Sequence, residues 1–151
     1  MNESIISTTS NMSAAERIRI SQMIMTMVKS QIREMDINQR LASVSVDGLP
    51  AALNIMAATS ALARDSYDFY SPEDGDPNRY LTWFIKSSLT IMTNEYLNKT
   101  KPFVISSCWN FFHLFAHELD HGKSVEEIAS SLGIECDAAM IKKAAEISKL
   151  I

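Results

Sequence analysis

The three histidines of the chain fall within one nine-residue stretch, His113-x-x-x-His117-Glu118-Leu119-Asp120-His121. Imidazole is a common metal ligand, and on a helix residues four apart share a face. His117 and His121 could therefore chelate one ion, with Glu118 beside them to take a proton from a metal-bound water. His113 and His121 cannot serve the same ion. Eight residues separate them by about 12 Å along a straight helix, whereas zinc–nitrogen bonds are about 2.0–2.1 Å long. The usable pairs are His117 with His121 or His113 with His117, and each needs a remote third ligand. With no fourth histidine in the chain, that ligand would be Cys136 or a carboxylate. Glu146, Glu126 and Glu127 are the carboxylates placed to supply it.

The helix that carries these residues separates into two faces at about 100° per residue. Cys108, Phe112, Phe115 and Leu119 share one seam, the expected core face. The histidines lie nearly opposite, flanked by Trp109, Leu114, Glu118 and Asp120. That second face meets solvent, a packing partner or a cleft. Trp109 and His113 are its candidate binding residues.

The pentad His117-Glu118-Leu119-Asp120-His121 has the form H-E-x-x-H and resembles the active-site helix of zincin-type zinc peptidases over those five residues. The resemblance implies a zinc-dependent hydrolase with His117 and His121 as ligands, Glu118 as general base, and a glutamate from a later helix closing the site. Asp120 departs from the uncharged residue most such peptidases carry there. Peptide deformylases accept aspartate at that position, but this chain lacks the glycine-rich and Glu-Gly-Cys segments they place upstream.

The elements that must position these residues read as helices. The 151 residues are 46% hydrophobic and 21% charged, globular values for one domain able to bury its own core. Ser13-Ala-Ala-Glu16 is a capping box, and Ile20, Ile24, Val28, Ile32 and Met35 follow at helical spacing, predicting a first helix over 14–38. Residues 41–48 alternate enough for a short extended piece. Pro50 suits the first turn of a second helix, continuing to about residue 70. The loop 71–77 is acidic but lacks the ligand spacing of an EF-hand. Asp76-Pro77 then opens a third helix ending near residue 98. A fourth covers 106–121 and stops at Gly122. A second capping box, Ser124-Val-Glu-Glu127, opens a fifth helix that ends at Gly133, and a last helix covers 137–150. The class is all-α: a single compact bundle of five to six helices over 13–151, preceded by a flexible polar tail at 1–12.

The segment 123–151 resembles a helix-turn-helix. Ile128-Ala129 and Leu132-Gly133-Ile134 match its first helix and turn. The resemblance implies nucleic-acid contact through the second helix, with Lys142 and Lys143 touching phosphates. The second helix departs from the pattern, since the positions that should be apolar fall on Ala139 and Lys142, one step out of phase with Met140 and Ile141. Glu135 and Asp137 stand at the end that would enter the groove, and no arginine is present to read guanine.

Composition narrows the function classes. A net charge of −4 disfavours a strong non-specific grip on nucleic acid or on an anionic membrane. Cys108 and Cys136 are too few for a disulfide framework and fit reduced thiols in a cytosol. No apolar run reaches membrane-spanning length, and the first residues lack the charged and apolar regions of a signal peptide. Four of the nine methionines, Met23, Met25, Met27 and Met35, fall on the first helix, where they suit core filling or an adaptable partner surface. The expectation is a small cytoplasmic regulator or adaptor that binds another protein or a second copy of itself, without a cofactor. Its candidate binding residues are Trp109, His113, Lys142 and Lys143. A transcription regulator using the C-terminal helix pair is a variant of this reading, and the zinc hydrolase is the alternative.

Overall fold

The computed structural model describes residues 12–71, 73, 75–99, 106–135 and 137–150. These form seven helices and, among the described residues, no strand: α1 (Ala14–Glu34), α2 (Ile37–Ala42), α3 (Gly48–Asp68), α4 (Pro77–Lys99), α5 (Ser106–Asp120), α6 (Val125–Leu132) and α7 (Ala138–Ser148). The fold is a compact all-α one. Apart from Met12, the tail assigned to residues 1–12 lies outside the described residues.

Most helix ends lie where the cap residues put them. Ser13 Oγ accepts from the Glu16 N–H at 3.2 Å, and Ser124 Oγ accepts from the Glu127 N–H at 3.2 Å. Asp137 caps α7 by accepting from the Met140 N–H at 3.1 Å. Gly122 and Gly133 adopt left-handed φ values of 80° and 70°. At both, the residue after the glycine donates back five positions, Lys123 to the Glu118 carbonyl at 3.1 Å and Ile134 to the Ala129 carbonyl at 3.0 Å. These are Schellman ends, which satisfy carbonyls that the last turn leaves open.

Two expectations need correction. The first helix does not continue to residue 38 but stops at Glu34, and Asp36 takes a left-handed φ of 54° before α2 begins. The physical reason is a phase slip. Ile24, Val28 and Ile32 share one stripe, but Ile37 comes five residues after Ile32 and would sit on the opposite face of a straight helix. The break at Asp36 lets Ile37 and Leu41 become fully buried. Each such side chain contributes about 1.5–3 kcal/mol, more than the roughly 1–2 kcal/mol a left-handed residue costs. The second correction concerns residues 41–48, which form no extended piece. Leu41 and Ala42 end α2, turns follow, and Gly48 already belongs to α3.

The α4 helix is the hub. It buries Tyr80, Leu81, Trp83, Phe84, Ile85, Leu89, Ile91, Met92 and Tyr96, so it is apolar nearly all round, as a central helix must be. It packs against α1, α2 and α3 on one side and against α5 and α7 on the other. Aromatic rings link the two sides. Tyr80 stacks on Tyr70 at 4.5 Å between ring centres, and Phe84 stacks on Phe112 at 5.3 Å. The Trp83 indole N–H donates to the Glu135 carbonyl at 3.1 Å, tying α4 to the turn before α7. On α5, Phe112 and Ala116 are buried and Leu119 is half-buried; the side chains of Cys108 and Phe115 lie outside the described ones.

Candidate binding surfaces

The histidine face of α5 points outward. His113, Leu114, His117 and His121 are all exposed. The His117 and His121 rings lie 4.2 Å apart between centres, and His121 Nδ1 sits 2.8 Å from the His117 carbonyl oxygen. A carbonyl only accepts, so that nitrogen carries a proton and donates, which leaves Nε2 as the lone-pair nitrogen of a neutral ring. Such an anchored imidazole is the form in which histidine ligates metals. The donor set nevertheless stops short. Among the described residues no three His, Cys, Asp or Glu side chains gather in a way that could hold an ion. Glu126, Glu127 and Glu146 therefore do not complete a site with His117 and His121, and Cys136 lies outside the described residues. Glu118, the base of the hydrolase reading, is held in an ion pair with Lys123 at 3.0 Å. Asp120 faces Lys149 at 3.9 Å.

Trp109 turns toward the core. Its ring lies 6.0 Å from Phe84 and 5.9 Å from Phe112, and it is half-buried on the α4–α5 seam. The structure therefore does not gather Trp109 and His113 into one outward patch.

Lys142 and Lys143 stand at a groove of about 400 Å³ between α7 and the start of α4, lined also by Tyr70, Asp76, Arg79, Asp137 and Glu146. Its charges cancel: Arg79, Lys142 and Lys143 are matched by Asp76, Asp137 and Glu146. Arg79 pairs with Asp137 at 3.4 Å and Lys143 with Glu146 at 3.8 Å. Phosphate binding draws on an excess of cations, and this groove has none. Helix α7 buries Ile141, Ala144, Ala145, Ile147 and Ser148, which puts Ala139 and Lys142 outside. Beneath the groove, Tyr80 and Ser66 share a hydrogen bond of 2.5 Å. Burial raises the Tyr80 hydroxyl well above the ordinary tyrosine range, with the Ser66 bond acting the other way.

The surface that sequence reasoning missed lies at the α2–α3 corner. Val44, Val46, Leu49 and Leu53 are 50%, 96%, 54% and 62% exposed. Leu49 and Leu53 are one turn apart on one flank of α3. The stripe Ala52, Ile55, Thr59, Leu62, Ala63 and Ser66 that α3 buries runs along a different flank. The signal was present, because Leu49, Leu53 and Met56 form a second apolar row beside the core stripe. Reading Val44 and Val46 as part of a strand concealed it.

Among the described residues, no helix is long and apolar enough to cross a membrane. No protein-family model, curated protein or solved structure matches the chain.

Proposed function

We propose that the protein acts by binding another protein, as a cytoplasmic regulator or adaptor, with a second copy of itself as the other candidate partner. The observation that carries this reading is the apolar corner of Val44, Val46, Leu49 and Leu53. Single exposed apolar residues are ordinary, but four within ten residues of chain favour a surface that a partner covers. The balanced charges around Lys142 and Lys143 favour protein over nucleic acid as that partner. A zinc hydrolase would need a third ligand from beyond the described residues; the corner needs nothing added.

The test is the double variant Leu49→Asp with Leu53→Asp, which places charge on two exposed positions. Affinity capture from cells that make the protein, run with the wild-type and variant chains side by side, should lose one specific partner in the variant. Sedimentation equilibrium shows whether that partner is a second copy. Identical capture profiles together with identical masses would remove the corner as a binding surface.

A further inference from the structure

We propose that the groove between α1 and α3 docks an acidic amphipathic helix of the partner protein. This rests on the protein-binding reading and specifies its chemistry. The groove, about 560 Å³, is walled on the α1 side by Lys29, Ile32 and Arg33 and on the α3 side by Ala52, Leu53 and Met56, and Asp36 with Asn38 and Gln39 of α2 line it as well. The two helices meet farther along, where the Ser60 hydroxyl reaches Met25 Sδ at 3.5 Å. Toward the end of α1 the small Ala52 leaves the space between them unfilled. Ile32 and Ala52 are buried and form the floor, while Leu53 is exposed at the rim and continues into the apolar corner through Leu49.

The charges on the α1 rim select the occupant. Lys29 and Arg33 are exposed and stand four residues apart on one flank of α1. Their side chains make no hydrogen bond or ion pair with any described residue. Two like charges one turn apart repel each other, and here neither is held in an ion pair with a described residue. The acid lining this groove, Asp36, lies in no ion pair with either cation. In a chain of net charge −4, two adjacent unpaired cations beside an apolar slot are a complementary surface for acids, also one turn apart, next to an apolar stripe. A helix with leucine-like residues at i, i+3, i+4 and i+7 and glutamates along one flank has that arrangement. Complementary charge of this kind sets partner choice and approach rate. Two cations are too few to hold a nucleic acid, whose grip scales with the number of phosphates neutralised.

Two synthetic fluorescein-labelled amphipathic peptides test this, identical in their leucine stripe but flanked by glutamate in one and by lysine in the other. Fluorescence anisotropy with the full chain at low salt should show the glutamate peptide binding about tenfold more tightly or better, a difference of about 1.4 kcal/mol. Lys29→Glu with Arg33→Glu should invert that preference, and Lys29→Gln with Arg33→Gln should abolish it. Leu53→Asp should weaken both peptides. Equal affinities, no binding of either peptide, or a preference indifferent to the Lys29 and Arg33 variants would overturn the proposal. So would heparin competing as well as the glutamate peptide, which would mark a plain polyanion surface. A cellular partner lost with Leu49→Asp and Leu53→Asp but kept with Lys29→Glu and Arg33→Glu would sink this inference alone and leave the protein-binding reading standing.

Discussion

At the scale of single residues, the buried Ser66–Tyr80 pair is the most consequential polar contact. Both side chains are buried and hydrogen-bonded to each other, so removing one partner strands the other away from water. Ser66→Ala should cost about 1–3 kcal/mol, the usual penalty for an unpaired buried hydroxyl. Adding Tyr80→Phe should recover part of that loss, because no hydroxyl is then left without a partner. Urea denaturation of the two single variants and the double variant measures the coupling; strictly additive losses would show that the bond contributes nothing. Asp65 offers a pH-dependent case. Partial burial raises its carboxyl above the ordinary carboxylate range, Asp68 adds to this, and Arg64 acts the other way. A raised pKa in the folded state means that the stability Asp65 supports is fully present below the ordinary range. It is lost as pH rises through the raised value. Asp65→Asn should therefore gain on wild type at neutral pH and lose that gain in acid. A stability difference that does not vary with pH would contradict the assignment.

At the scale of elements, the α2–α3 crossing shapes the surface. Gly48 is buried, and a Cβ placed there would lie 2.0 Å from the Leu41 carbonyl oxygen. That close approach lets α3 start directly beneath the end of α2, and Val46 and Leu49 beside it are exposed. Gly48→Ala must separate the two helices and should cost about 3 kcal/mol, the upper part of the range for overpacking. Thermal denaturation followed by circular dichroism measures it, and a near-neutral variant would mean that the crossing is loose. The sequence carried the cues for six of the seven helices, since Ser13, Pro50, Asp76, Gly122, Ser124, Gly133 and Asp137 are local signals. It did not reveal α2. A left-handed Asp36 is favourable only once Ile37 and Leu41 have a core to enter, and that core is built by α3 and α4.

At the scale of the molecule, α4 joins the α1–α3 side to the α5–α7 side, and the ring contacts of Phe84 with Trp109 and Phe112 cross that junction. Both tryptophans, Trp83 and Trp109, sit along it, whereas helical circular dichroism reports on every element. If the bundle is one cooperative unit, tryptophan fluorescence and far-ultraviolet circular dichroism should give coincident denaturation curves. Separate midpoints would divide the chain into two folding units.

By itself, the sequence determined the all-α class, most of the helix boundaries and the outward direction of the histidines. These follow from periodicity and caps, which depend on near neighbours along the chain. Tertiary structure alone decided what those helices do to one another. It turned Trp109 into the aromatic seam, because Phe84 lies 6.0 Å away on another helix. It brought Asp120 within 3.9 Å of Lys149 and Asp137 within 3.4 Å of Arg79, and left Leu49 and Leu53 uncovered. Each outcome depends on which side chain arrives from a distant part of the chain, and a helical wheel holds no information about that arrival.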